Sequence, residues 1–171
     1  MVVIVLQELG LWESLCRHVT VVVPSIILHE VCFYTDRATG GRVHIDLTAQ
    51  ALAGAIREES ATGEEMDEFA RQFDAVMVEN LHAGEIEALT LLFKGKVADC
   101  RLCSADRAAV KALALVGMKN KGVSLEKALH ELGVPGSRRL KPQYSQERFE
   151  EWLREASVDR IQGRGLVRRP F

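Results

Sequence analysis

With 171 residues, 47% of them apolar and 27% charged, the chain has the make-up of one globular domain with a genuine core. It contains no run of about 18 apolar residues, which excludes a membrane-spanning helix. The net charge of −2 conceals a division: residues 1–93 carry 5 Lys and Arg against 15 Asp and Glu, whereas residues 94–171 carry 17 against 9. Such halves suit an acidic metal-binding cluster beside a surface that attracts polyanions, and equally suit two solvated faces of opposite sign.

Met1-Val2-Val3-Ile4-Val5-Leu6 is apolar, but no basic region precedes it and Gln7 and Glu8 interrupt it, so it does not read as a signal peptide. Leu6 to Cys16 has helical spacing at Leu6, Leu9 and Trp12. Val19 to Val23 is a β-branched run, and Pro24 starts a helix that fades by Phe33-Tyr34. Asp36 to Arg42, with Gly40-Gly41, is a turn. Val43 to Leu47 is either a strand or the lead into a helix capped at Asp46. Helices are expected over Ala49 to Arg57, over Glu64 to Val78 and from Gly84 to about Phe93. Val97 to Cys103 holds a short strand, and Asp106 to Val116 is an Ala-rich helix. Beyond Gly117 the chain turns helical: Ser124 caps a helix to Leu132, and Ser145 to Ala156 forms a charged one. The segment from Gln162 to Phe171, with Gly163 and Gly165, reads as loose. Alternating strands and helices predict a parallel sheet covered on both faces, with functional groups beyond the C-terminal strand ends.

Three acids stand out against this background. Glu30 follows Ile26 by four residues and Ile27 by three, which places it on their stripe of the helix begun at Pro24. Glu85 precedes Ala88 and Leu89 at the same spacings, and Asp106 opens the Ala-rich helix. Carboxylates converging away from water repel one another and call for a cation, the pattern of a divalent-metal site. Taken singly, Asp106 is an N-cap or first-turn acid, and Glu85 a first-turn acid. Glu87 is a reserve ligand.

Other chemistries find less support. Cys100 and Cys103 are three apart in a strand, with no second cysteine pair, so neither a zinc nor a redox motif is formed. His18, His29, His44, His82 and His130 lack ligand spacing, and Gly40-Gly41 lacks the Lys-Ser/Thr of a phosphate loop. The four cysteines read as reduced thiols of a cytoplasmic protein. Arg101, Arg107, Lys111, Lys119 and Lys121 lie near Asp106, and Arg138, Arg139 and Lys141 form a second basic group; either tracks phosphates or is simply solvated.

Val22 to Val31 runs from a strand into a Val-Pro-Ser helix carrying an acid. Gly84-Glu85-Ile86-Glu87-Ala88 starts another helix, and Ser104-Ala105-Asp106-Arg107-Ala108-Ala109 follows a strand. In that order and at those separations, residues 1–118 resemble the PIN domain family, small α/β metal-dependent nucleases that include many toxins of toxin–antitoxin pairs. The resemblance implies a three-layer α/β/α fold with a short parallel sheet, followed over 119–171 by a helical extension. It further implies Mg²⁺ or Mn²⁺ held by Glu30, Glu85 and Asp106, Ser104 at the pocket rim, and RNA as substrate near Arg101, Arg107 and Lys111. A protein antitoxin or a second copy of the chain is the implied protein partner. A degenerate relative that binds RNA or protein without cleavage is the alternative. In the family an opening strand ends in an Asp; here no aspartate precedes Asp36, so either the start lies too far downstream or the first carboxylate is lost. The family's last strand is hardly visible in Met118 to Lys121, with helix expected from Gly122.

Overall fold

A computed structural model describes residues 2–36, 38–134 and 140–167. Two short parallel strand pairs organise a mixed α/β chain. Strand β1 (Val22–Pro24) pairs with β4 (Arg57–Glu59), and β5 (Leu102–Cys103) pairs with β6 (Gly122–Val123). A third, antiparallel pair joins β2 (Phe33–Thr35) to β3 (Arg42–His44). The helices are α1 (Val2–Glu8), α2 (Trp12–His18), α3 (Ser25–Glu30), α4 (Leu47–Leu52), α5 (Gly63–Ala70), α6 (Ala75–Glu79), α7 (Ala83–Phe93), α8 (Arg107–Leu115), α9 (Leu125–Glu131) and α10 (Gln146–Ile161). Among the described residues no helix is long and apolar enough to cross a membrane.

Strand β5 shows how the cores are divided. Side chains alternate along a strand, and Cys103 packs against the cluster of Leu6, Trp12, Val23, Leu28 and Leu129, while Leu102 packs against Phe69, Leu89 and Leu113. Apolar layers therefore lie on both sides of β5. Residues after 118 share these layers: Leu125, Leu129 and Tyr144 belong to the first cluster and Ala156 to the second. Phe149 and Trp152 of α10 close over Val110 of α8.

Several expected elements differ for local reasons. The helix foreseen over Leu6 to Cys16 is two helices, because Gly10 takes φ of 66° and ends the first. The Gly10 N–H reaches Gln7 O at 3.0 Å and the Leu11 N–H reaches Leu6 O at 2.8 Å, the paired bonds of a Schellman stop. Val2 to Leu6 is helical despite its β-branched residues, since Val5 and Leu6 bury in the first core. The helix foreseen over Glu64 to Val78 breaks where Asp74 accepts the Met77 N–H at 2.9 Å and caps α6. Residues 53 to 57 leave the helix foreseen to Arg57, and Arg57 instead opens β4. Gly122-Val123 is a strand, not the start of a helix, and α9 begins only after Ser124.

The C-terminal segment is anchored as far as it is described. Gly165 donates its N–H to the second Asp74 oxygen at 2.8 Å, Val167 donates to Gln72 O at 3.0 Å, and Leu166 bridges Phe73. The looseness expected from Gln162 onward does not hold through Val167; Arg168 to Phe171 lie outside the described residues.

Candidate functional site

The α7 helix carries the acids that matter, and glycine sets its approach. Gly84 sits so close to α3 that a Cβ there would meet Ile27 Cγ1 at 2.6 Å and Ile26 Cγ2 at 3.7 Å. The first turn of α7 therefore lies directly against α3, just past the end of β1. Glu85 and Glu87 are one residue either side of Ile86, so they leave the helix in different directions.

Glu87 points inward. It is 2% exposed, and its two oxygens accept the main-chain N–H groups of Ile26 at 2.8 Å and Ala61 at 3.2 Å. Ile26 is the second residue of α3, whose N-cap, Pro24, has no side chain that can accept a hydrogen bond. Glu87 supplies that cap from a distant part of the chain and also ties down the segment leaving β4. With both oxygens engaged by backbone, it is a structural carboxylate and not the reserve ligand expected of it. Its signal in the sequence is the buried stripe Gly84, Glu87, Leu91.

Glu85 is half-buried. One of its oxygens accepts the His82 N–H at 3.1 Å, closing the first turn of α7. Burial raises its pKa above the ordinary carboxylate value; the His82 N–H opposes this, and the negative charge of Asp106 adds to it. Glu85 and Asp106 are thus electrostatic neighbours although 21 positions apart in sequence. Asp106 follows β5 and caps α8, one oxygen accepting the Ala109 N–H at 2.9 Å. Ser104 stands beside it, its Oγ accepting the Asp106 N–H at 3.1 Å. Asp106 is a helix cap and Glu85 a first-turn acid, as each considered singly predicted, and their like charges repel.

Glu30 does not share this enclosure. It is the last residue of α3, one turn beyond Ile26 and Ile27, and it is exposed; Leu28 is the buried residue of that helix. The helix is too short to carry an inward stripe as far as Glu30. Among the described residues, no three His, Cys, Asp or Glu side chains converge as a ligand set.

The basic residues near Asp106 are engaged within the chain. Arg101 bonds Glu131 at 2.5 Å, Arg107 bonds Glu155 at 2.7 Å, and Lys111 bonds Asp159. Lys94 and Lys96 cross to the acidic half, at 2.5 Å from Glu68 and 2.7 Å from Glu65. The charge division of the sequence is therefore partly neutralised on folding. Lys121 donates to Ala98 O. Arg138 and Arg139 lie outside the described residues.

Two further features lie apart from the acids. The Cys103 thiol, enclosed although the residue as a whole is half-buried, is pushed up to about 12 by desolvation, which keeps it protonated at neutral pH. A cavity of about 320 Å³ opens at the beginnings of β1 and β4, between Cys16, Arg17, His18 and the loop Gly54 to Arg57, at the end of the strands opposite Glu87. Against protein-family models, curated proteins and solved structures, the chain gives no match.

Proposed function

We propose that this chain is a PIN-like ribonuclease dependent on a divalent cation, with Glu85 and Asp106 as the metal-holding pair. One observation carries the reading: two neighbouring carboxylates each give one oxygen to a backbone N–H and, among the described residues, leave the other without a hydrogen bond. Two hard oxygen donors that repel each other fit Mg²⁺ or Mn²⁺, ions that accept a few carboxylates and retain several waters. Such an ion, when bound, polarises a phosphodiester and acidifies a coordinated water.

The chain's own contribution is positional. The N–H groups of His82 and Ala109 fix the two carboxylates, and Ser104 fixes the turn that presents Asp106. Glu30, exposed at the end of α3 on the side that continues from Ile26 and Ile27, is the third carboxylate of the reading. Arg101, Arg107 and Lys111 would meet a phosphate while already paired with Glu131, Glu155 and Asp159.

Cleavage of single-stranded RNA in Mn²⁺, comparing wild type with Glu85→Gln, Asp106→Asn and Glu30→Gln, tests the proposal. Loss of cleavage in the first two supports it; equal cleavage by all four proteins overturns it. The second reading, a PIN-like module that binds without cutting, is favoured by the separation of Glu30 from the other two acids. It requires RNA binding with no metal-dependent cleavage by the wild type.

A further inference from the structure

The β2–β3 hairpin presents an aromatic and cationic face that the acidic pair does not use. Its register sets Phe33 opposite His44 and Thr35 opposite Arg42, while Tyr34 opposes Val43. Tyr34 packs against the first core cluster. Because side chains alternate along a strand, Phe33, Thr35, Arg42 and His44 share the outer face, and all four are exposed. Phe33 is 44% exposed. The Arg42 guanidinium lies over its ring, 4.4 Å from the centroid. Among the described residues Arg42 has no carboxylate partner, in contrast to Arg101, Arg107 and Lys111. Neither strand carries an acid, and the hairpin starts three residues after Glu30.

We propose that this outer face is a stacking platform for single-stranded RNA. A ring with a guanidinium already stacked on it offers a flat, partly desolvated surface for an unpaired base, and Arg42 and His44 supply positive charge and donors for the adjoining phosphates. A duplex is a poor occupant because its bases are already stacked. A peptide strand adding to β3 would be held mainly by main-chain bonds and would leave the Phe33–Arg42 pair unused. The choice of RNA as occupant rests on the ribonuclease reading; the platform itself rests on the hairpin.

Anisotropy of a short labelled oligouridylate in EDTA measures the platform without any cleavage. Phe33→Ala and Arg42→Ala are each expected to weaken binding by about tenfold, within the range of stacked-base contacts. Arg42→Lys, which keeps the charge and loses the plane, is expected to recover only part of it. Melting curves of the variants verify that these exposed substitutions leave the fold intact. Unchanged affinity in both alanine variants, no binding by the wild type, or equal binding of a duplex overturns the proposal. So does self-association of the wild type that Phe33→Ala abolishes without any RNA binding, which would make the hairpin a protein-docking edge. A wild type that binds through Phe33 and Arg42 but never cleaves in Mn²⁺ leaves the platform standing and removes the ribonuclease reading alone.

Discussion

Glu87 and Ile26 are joined by a 2.8 Å bond from the Ile26 N–H to a carboxylate oxygen, across 61 positions of sequence. The bond stitches α7 to the start of α3, and the other Glu87 oxygen holds Ala61. An acid in this role is identified by what its removal exposes. Glu87→Ala leaves two half-buried amides without their carboxylate partner and is expected to cost about 2 kcal/mol of folding stability. Glu87→Gln, with one carbonyl oxygen, can satisfy only one of the two and is expected to cost roughly half as much. Urea unfolding measures both, and a loss near zero for Glu87→Ala would contradict the stitching role.

Glu85 is expected to trade stability for charge. Its pKa is raised in the fold, so between the ordinary carboxylate value and its folded value the folded state holds more protons than the unfolded. Stability contributed by this group is therefore lost as pH rises through that window. Glu85→Gln keeps an acceptor for the His82 N–H and removes the repulsion with Asp106. The variant is expected to melt higher than wild type at pH 7, with the difference shrinking toward about pH 4, where carboxylates protonate in both states. Mn²⁺ is expected to raise the wild-type melting temperature and leave that of the variant unchanged.

Gly84→Ala tests the close approach of α7 to α3. A methyl group at 2.6 Å from Ile27 Cγ1 forces a side chain or a helix to move. Overpacking of this kind typically costs about 1–3 kcal/mol, against a small gain in helix propensity. Pairing Gly84→Ala with Ile27→Ala, which removes both Cγ1 and Cδ1 from the contact, is expected to recover part of the loss. Double-mutant denaturation reads the coupling directly, and strict additivity would show that the contact does not limit the approach.

Lys111 and Asp159 tie α8 to α10 in a pair whose side chains are only 17% and 14% exposed. The hydrogen bond from Lys111 holds the Asp159 carboxyl below its ordinary pKa, against the opposing effect of burial and with help from Arg164. Stability from this carboxylate is present above the ordinary Asp value, about 4, and is lost as pH falls through the lower folded value. Lys111→Met is expected to destabilise the fold by about 1.5 kcal/mol at neutral pH. It is also expected to move acid unfolding to higher pH. Acid titration followed by circular dichroism measures the shift; an unchanged midpoint would dissociate the pair from acid stability.

What could be read directly from the chain was local. The Asp106 side chain caps α8 through the N–H three residues on, Ser124 does the same for α9, and Glu85 closes the first turn of α7. Those interactions span three positions, so residue type and spacing determine them before any tertiary contact forms. The long-range decisions belong to the folded chain alone. The electrostatic coupling of Glu85 to Asp106, the burial of Glu87 against Ile26 and Ala61, the pairing of Gly122 with Leu102, and the capture of Lys111 by Asp159 each join segments about 20 or more residues apart. Periodicity marks which side of a helix is apolar but not which neighbour that side meets. It therefore could not separate Glu87, enclosed between two backbone amides, from Glu30, which the short helix α3 leaves in water.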